Sequence, residues 1–139
     1  MRKVLLLSGS KSDEIFVKSA IELFSEWRIE CDYRVYSAHR ELKELTKFIE
    51  NISEKDYCAI IAVAGLSAAL PGVVASLTNL PVIGVPRDVG PLNGLDALFS
   101  MVQMPSGVPV ATMGIGANGM KNAAYFVKRL LETEGELNG

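Results

Sequence analysis

The sequence predicts a single three-layer α/β domain in which a five-stranded parallel sheet is covered by helices on both faces. Three observations carry that expectation. Short apolar runs alternate along the chain with segments whose apolar residues recur at helical spacing. One run, residues 57–64, is apolar at nearly every position, as a strand buried on both faces requires. The joints that follow the strands are rich in Gly, Ser and Pro.

Residues 3–7 read as a buried first strand, and 8–12 as a small-residue turn, with Ser12 or Asp13 capping the next helix. Phe16, Ala20, Leu23, Phe24 and Trp27 give that helix its apolar face. Residues 30–36 form a second strand with Cys31, Tyr33 and Val35 on one side, and Leu42, Leu45, Phe48, Ile49 and Ile52 mark a second amphipathic helix. The third strand, 57–64, runs into a small-residue loop at 65–72 and a short helix at 73–77. Residues 81–85 are the fourth strand, and 86–94 hold too much Gly and Pro to be regular. A helix over 95–104, a fifth strand over 108–113 and a closing helix over 118–132 complete the pattern. Right-handed crossovers are expected, and the loops at the carboxyl ends of the strands form the ligand crevice of such a sheet. Residues 8–12, 37–40, 65–72 and 86–94 all fall on that side.

With 139 residues, 49% of them hydrophobic and 22% charged, the chain suits one domain spanning 1–139 with a full core. A net charge of -2 with no basic stripe excludes broad binding to nucleic acid or to an anionic membrane. The apolar start stops at Ser8 without a cleavage-like sequel, and no run approaches the ~20 residues of a membrane span. A soluble, cytoplasmic protein is expected. Cys31 and Cys58 lie in apolar surroundings without metal-like spacing, which favours buried free thiols. With one histidine and no CxxC or HExxH, no metal site is expected. Walker, GxGxxG and GxSxG patterns are absent, so triphosphate, dinucleotide and serine-triad chemistry are disfavoured.

The chemistry concentrates at residues 35–40. His39 is the only histidine, it follows a strand, and Arg40 lies beside it with Ser37 two residues before. Imidazole is the side chain that both gives and takes a proton near neutral pH, and a guanidinium is a planar fork for phosphate or carboxylate. Read alone, His39 is a solvent-facing loop histidine; its position at a strand's carboxyl end argues for more. The loop with Gly9, Ser10 and Asp13 offers hydroxyls and N–H groups to a phosphate at a helix start, or is an ordinary capped turn. The 65–72 loop, where Ser67 is the only side chain with acid or base chemistry, is a ligand contact or a tight helix entry. Met101, Met104 and Met113 are core or interface fillers.

Taken in order, Gly9-Ser10-Lys11-Ser12-Asp13, Ser37-Ala38-His39-Arg40, Ala68-Ala69-Leu70-Pro71-Gly72, Leu80-Pro81-Val82-Ile83-Gly84-Val85-Pro86, Gly94-Leu95-Asp96-Ala97-Leu98 and Val102-Gln103-Met104-Pro105 resemble one family. It is the N5-carboxyaminoimidazole ribonucleotide mutase and aminoimidazole ribonucleotide carboxylase family of purine biosynthesis. The resemblance implies a flavodoxin-like subunit of a homo-oligomer, usually an octamer, that forms 4-carboxy-5-aminoimidazole ribonucleotide. By the same resemblance Gly9, Ser10, Asp13 and Arg40 bind the ribonucleotide, with Ser37 near its phosphate, and His39 is the general acid/base. Gly65, Leu66, Ser67, Ala68 and Leu70 belong to the loop that holds the transferred carboxylate or CO2. No metal, biotin or ATP is implied as cofactor.

Two departures stand out, one in the 65–72 loop and one in length. Many mutases carry a second histidine just before Leu-Pro-Gly, where this chain has Ala69. The direct carboxylases of the family usually have Arg-Ser-Asn in the same loop, where this chain has Leu66-Ser67-Ala68. Family members also commonly continue into a further C-terminal helix, whereas this sequence stops at Gly139. The reading is therefore a mutase, with direct carboxylation of aminoimidazole ribonucleotide by CO2 as its alternative. A carboxylase for another heterocyclic nucleotide, or a non-catalytic phosphate- or nucleotide-binding module, is a further reading.

Overall fold

The structure, a computed structural model, describes residues 1–138. Five strands, β1 (Lys3–Ser8), β2 (Cys31–Val35), β3 (Tyr57–Ala64), β4 (Val82–Pro86) and β5 (Ala111–Thr112), form one parallel sheet in the order β2-β1-β3-β4-β5. The helices are α1 (Glu14–Glu26), α2 (Leu42–Asn51), α3 (Leu70–Leu77), α4 (Leu95–Val102) and α5 (Gly116–Thr133). This is the three-layer flavodoxin-like α/β arrangement that the alternation of elements predicts.

Side chains alternate across each strand, so the central strands feed two cores. Val4, Leu6, Ala59, Ile61, Val63, Ile83 and Val85 pack with Val17, Ala20 and Phe24 of α1 and with Met120, Ala124, Val127 and Leu131 of α5. Leu5, Leu7, Ile60, Ala62 and Val82 point the other way, onto Leu45 and Ile49 of α2, Leu70 and Val74 of α3, and Ala97 and Met101 of α4. Every residue of β3 is buried, as its unbroken apolar run demands. The buried stripe of α1 is Val17, Ala20 and Phe24, with Phe16, Leu23 and Trp27 only partly buried at its margins. Met101 is core; Cys31 and Cys58 are free thiols, and burial pushes that of Cys31 up to about 12.

Several boundaries differ from the sequence reading, each for a local reason. Neither Ser12 nor Asp13 makes a side-chain cap at the start of α1. Ser10 instead caps a 3-10 turn at Lys11–Asp13, its Oγ accepting from the Ser12 N–H at 3.3 Å while Asp13 Oδ2 accepts from the Ser10 N–H at 3.1 Å. Helix α3 begins at Leu70, not 73, because Pro71 in its first turn needs no hydrogen bond there. Helix α4 ends at Val102, before Met104, whose place ahead of Pro105 disfavours helical backbone. The fifth strand pairs only at Ala111 and Thr112, since Pro109 has no N–H for a ladder.

Gly84 in β4 marks a tight crossing. A Cβ there would meet Met101 Sδ at 2.7 Å, Val110 Cγ1 at 3.1 Å and Pro71 Cβ at 3.2 Å, so the glycine lets α3, α4 and the approach to β5 close onto the sheet.

Candidate active site

The strand order reverses direction between β1 and β3, and the loops leaving these two strands part there to open a crevice. The gap is braced by backbone. Gly9 N–H donates to Val63 O at 3.1 Å, Tyr36 N–H to Ser8 O at 2.9 Å, and Arg87 N–H to Ala64 O at 3.0 Å. These bonds tie the carboxyl ends of all four longer strands into one platform.

Each loop is shaped by its own residues. Ser8 is fully buried; its Oγ donates to Ser10 O at 3.3 Å and lies 2.6 Å from Tyr33 Oη, which leaves the phenol as donor between them. Burial pushes that phenol above its ordinary value. After β2, Ser37 Oγ accepts from the Arg40 N–H at 3.2 Å, Glu41 Oε1 accepts from the Ser37 N–H at 3.1 Å, and Glu41 N–H donates to Ser37 O at 2.8 Å. This is a serine-anchored turn, and it presents His39 and Arg40 exposed at its tip. After β3, Leu66 adopts φ 56°, a left-handed conformation that a branched side chain rarely takes and that concentrates at ligand sites. Gly65 is bare because a Cβ there would fall 2.6 Å from Val89 Cγ2, so the loop after β4 lies directly against it.

Two adjoining clefts result. The first, about 350 Å³, is lined by Gly9, Ser10, Asp13, Ser37, His39 and most of residues 64–70, together with Arg87 and Val89. The second, about 550 Å³, is lined by Gly9, Ser10, Lys11, Val35, Ser37, His39, Arg40 and Glu41. Of the predicted site residues, Gly9, Ser10, Asp13, Ser37, His39, Gly65, Leu66, Ser67, Ala68 and Leu70 all line the first cleft. Arg40 lines the second only. Gly9, Ser10, Ser37 and His39 border both. The clefts differ in chemistry: the second carries the cations of Lys11 and Arg40, whereas the first joins the small and apolar residues 64–70 with Asp13, His39 and Arg87.

Sequence reasoning passed over Lys11 and Arg87. Arg87 follows the last residue of β4, and its Nη1 donates to Asp13 Oδ1 at 2.8 Å. Asp13 is 8% exposed at its side chain and Arg87 20%, so the pair is largely removed from water. The guanidinium also lies 4.7 Å from the centroid of the Phe16 ring. The signal that finds Arg87 is the rule that found His39, a side chain with chemistry of its own in the loop at a strand's carboxyl end, applied to the fourth strand as well as the second. Among the described residues no cluster of His, Cys, Asp and Glu has the makings of a metal site, and no helix is long and apolar enough to cross a membrane.

Fold and crevice together define a parallel α/β protein with a candidate ligand site at the switch point of the sheet. Residues 3–137 match the model of the AIR carboxylase family, and the chain belongs to that family. It is 48% identical over 131 residues to the N5-carboxyaminoimidazole ribonucleotide mutase of Saccharolobus solfataricus, covering 94% of this chain and 82% of that one. Against the mutase of Thermotoga maritima the identity is 47%, over 94% of this chain and 75% of the relative. Among solved structures, PurE of Treponema denticola matches with a TM-score of 0.82 at 26% identity, over 96% of this chain and 82% of that one.

Proposed function

We propose that the protein is an enzyme of purine biosynthesis that converts N5-carboxyaminoimidazole ribonucleotide to 4-carboxy-5-aminoimidazole ribonucleotide. Kinship with proteins named for this mutase supports the reaction. The observation that carries the mechanism is the position of His39, the one imidazole of the chain, on the border of the cationic cleft and the small-residue cleft.

The ribose phosphate lies in the cleft of Lys11 and Arg40, with Ser10 and Ser37 at its edge, and the imidazole ring of the substrate reaches the junction. The N–C bond of the carbamate breaks and leaves its electron pair on the exocyclic nitrogen, which takes a proton from the imidazolium of His39. CO2 stays among residues 65–70, where few polar side chains compete for it and water is displaced. The electron-rich C4 of the ring attacks this CO2, the new C–C bond forms, and the C4 proton returns to the neutral imidazole. One proton is given and one recovered, so the step is an isomerisation without redox change or cofactor. A positioned acid/base of this kind typically contributes ~10²- to 10⁴-fold in rate.

Exposed apolar side chains support self-association in the same reading. Leu95, Phe99 and Val102 lie along one side of α4 with Phe99 63% exposed. We take the active form to be a homo-oligomer, the octamer of the family being the arrangement to test by light scattering after gel filtration.

The deciding experiment supplies purified protein with the N5-carboxylated substrate, and separately with aminoimidazole ribonucleotide and bicarbonate. Turnover of the carbamate is expected. Product formed only at high bicarbonate, with the carbamate left untouched, replaces the mutase by a direct carboxylase; no product from either refutes both.

A further inference from the structure

We infer that Arg87 holds the migrating carboxylate, so that the site has a separate cation for each anionic end of its substrate. The inference rests on the functional reading above and on four observations about this side chain. First, Lys11 and Arg40 line only the second cleft, and Arg87 is the one Lys or Arg side chain lining the first. A ligand with a phosphate at one end and a carboxylate at the other meets Lys11 and Arg40 in one cleft and Arg87 in the other, with His39 lining both.

Second, the guanidinium is under-coordinated as it stands. Nη1 on Asp13 Oδ1 is its one side-chain hydrogen bond among the described residues; Nε is enclosed by protein without an acceptor, so the N–H groups left for a ligand to reach are those on the Nη atoms. A guanidinium has five N–H groups to place, and Asp13 takes only one of those on the Nη atoms. A carboxylate is the acceptor that fits its planar fork, two oxygens against two N–H groups. Third, the side chain is held in advance. Asp13 grips one end, the guanidinium carbon lies over the Phe16 ring 4.7 Å from its centroid, and the backbone N–H is fixed on Ala64 O at the end of β3. Little order is lost on binding, which is the condition under which a polar contact gives affinity.

Fourth, the neighbouring wall is cut to bring the two together. Gly65 lacks the Cβ that would press on Val89 Cγ2 at 2.6 Å and sit 3.4 Å from Arg87 Cβ, so the loop after β3 and the loop carrying Arg87 share one face of the cleft. Asp13 then has two tasks. It accepts from the Ser10 N–H with Oδ2, holding the β1 loop, and with Oδ1 it orients the arginine without using up its donors.

The test compares two ribonucleotides that differ by the carboxylate, 4-carboxy-5-aminoimidazole ribonucleotide and aminoimidazole ribonucleotide, titrated calorimetrically into wild type, Arg87→Gln and Arg87→Lys. Arg87→Gln should weaken the carboxylated ligand ~10- to 100-fold, the range of a lost charge-assisted hydrogen bond, while changing the uncarboxylated one less than ~3-fold. Arg87→Lys keeps the charge and loses the fork, and should show the same selectivity at a smaller amplitude; it carries the test if Arg87→Gln does not fold. Equal losses for both ligands would mean that Arg87 only braces Asp13, and no loss for either that it does not meet the ligand; each overturns the inference while the functional reading stands. If wild type binds neither ribonucleotide, the functional reading itself falls and takes the inference with it.

Discussion

The ion pair between Asp13 and Arg87 joins the β1 loop to the end of β4, and its energetic weight can be measured by a double-mutant cycle with Asp13→Asn and Arg87→Met. Breaking a fully buried pair from one side destabilises by about 3–5 kcal/mol, because the surviving charge stays out of water without a partner. Here the surviving charge is partly relieved. Arg87 is 20% exposed, and Asp13 keeps the Ser10 N–H as a donor. Each single change should therefore cost about 2 kcal/mol. For the double change the reasoning is different, since two neutral groups of similar shape leave no orphaned charge. Its loss should also be about 2 kcal/mol, giving a coupling energy of about 2 kcal/mol. Urea unfolding monitored by fluorescence, with a common slope for all four proteins, resolves this difference, because independent sites add to within about 0.5 kcal/mol. A double variant whose loss equals the sum of the two single losses within that margin would refute the claim that the pair holds these loops together.

Other consequences follow from single positions. His39→Asn should lower turnover by ~10²- to 10⁴-fold while leaving ribonucleotide affinity within a few-fold, read from steady-state kinetics beside calorimetric titration; unchanged turnover would remove His39 from the chemistry. Gly84→Ala forces a methyl against Met101, Val110 and Pro71 and should destabilise by about 1–3 kcal/mol in the same urea assay. At the amino-terminal end of the sheet, the Tyr57 hydroxyl donates to Asp32 Oδ2 at 2.6 Å and Lys3 Nζ lies 2.9 Å from the same oxygen, which together hold that carboxyl below its ordinary range. A lowered carboxylate value stabilises the fold above the unfolded value near about 4, and the contribution disappears as pH falls through the folded one. Tyr57→Phe should thus cost about 1 kcal/mol at pH 7, with the gap to wild type narrowing below about pH 4; a gap constant with pH would exclude the linkage.

Much of this protein could be read from its residues in order. The unbroken apolar run of β3, the helical spacing in α1 and α2, and the Gly, Ser and Pro joints specify a parallel α/β domain because burial on two faces, on one stripe and on none leaves distinct periodicities. The rule that ligands gather at the carboxyl ends of strands then picked out the loop of Ser10 and Asp13, the turn of Ser37, His39 and Arg40, and residues 65–70 as neighbours. Less was legible where local pattern and local geometry part. The strand expected over 108–113 shrinks to Ala111 and Thr112, because pairing at an edge depends on which N–H groups face the neighbour and Pro109 has none.

What the sequence determined by itself is the set of chemical groups and the end of the sheet on which they gather, since both follow from the strand and helix pattern. Which of them meet was decided only by tertiary structure. Arg87 lies 74 residues from Asp13 and looks in the sequence like one more charge in an irregular loop. It becomes part of the site because β4 lies beside β3, because Gly65 allows the loops to touch, and because a largely buried carboxylate and a largely buried guanidinium are stable only together. Contacts of that separation leave no periodic trace in the chain; they exist only once the sheet has set its order.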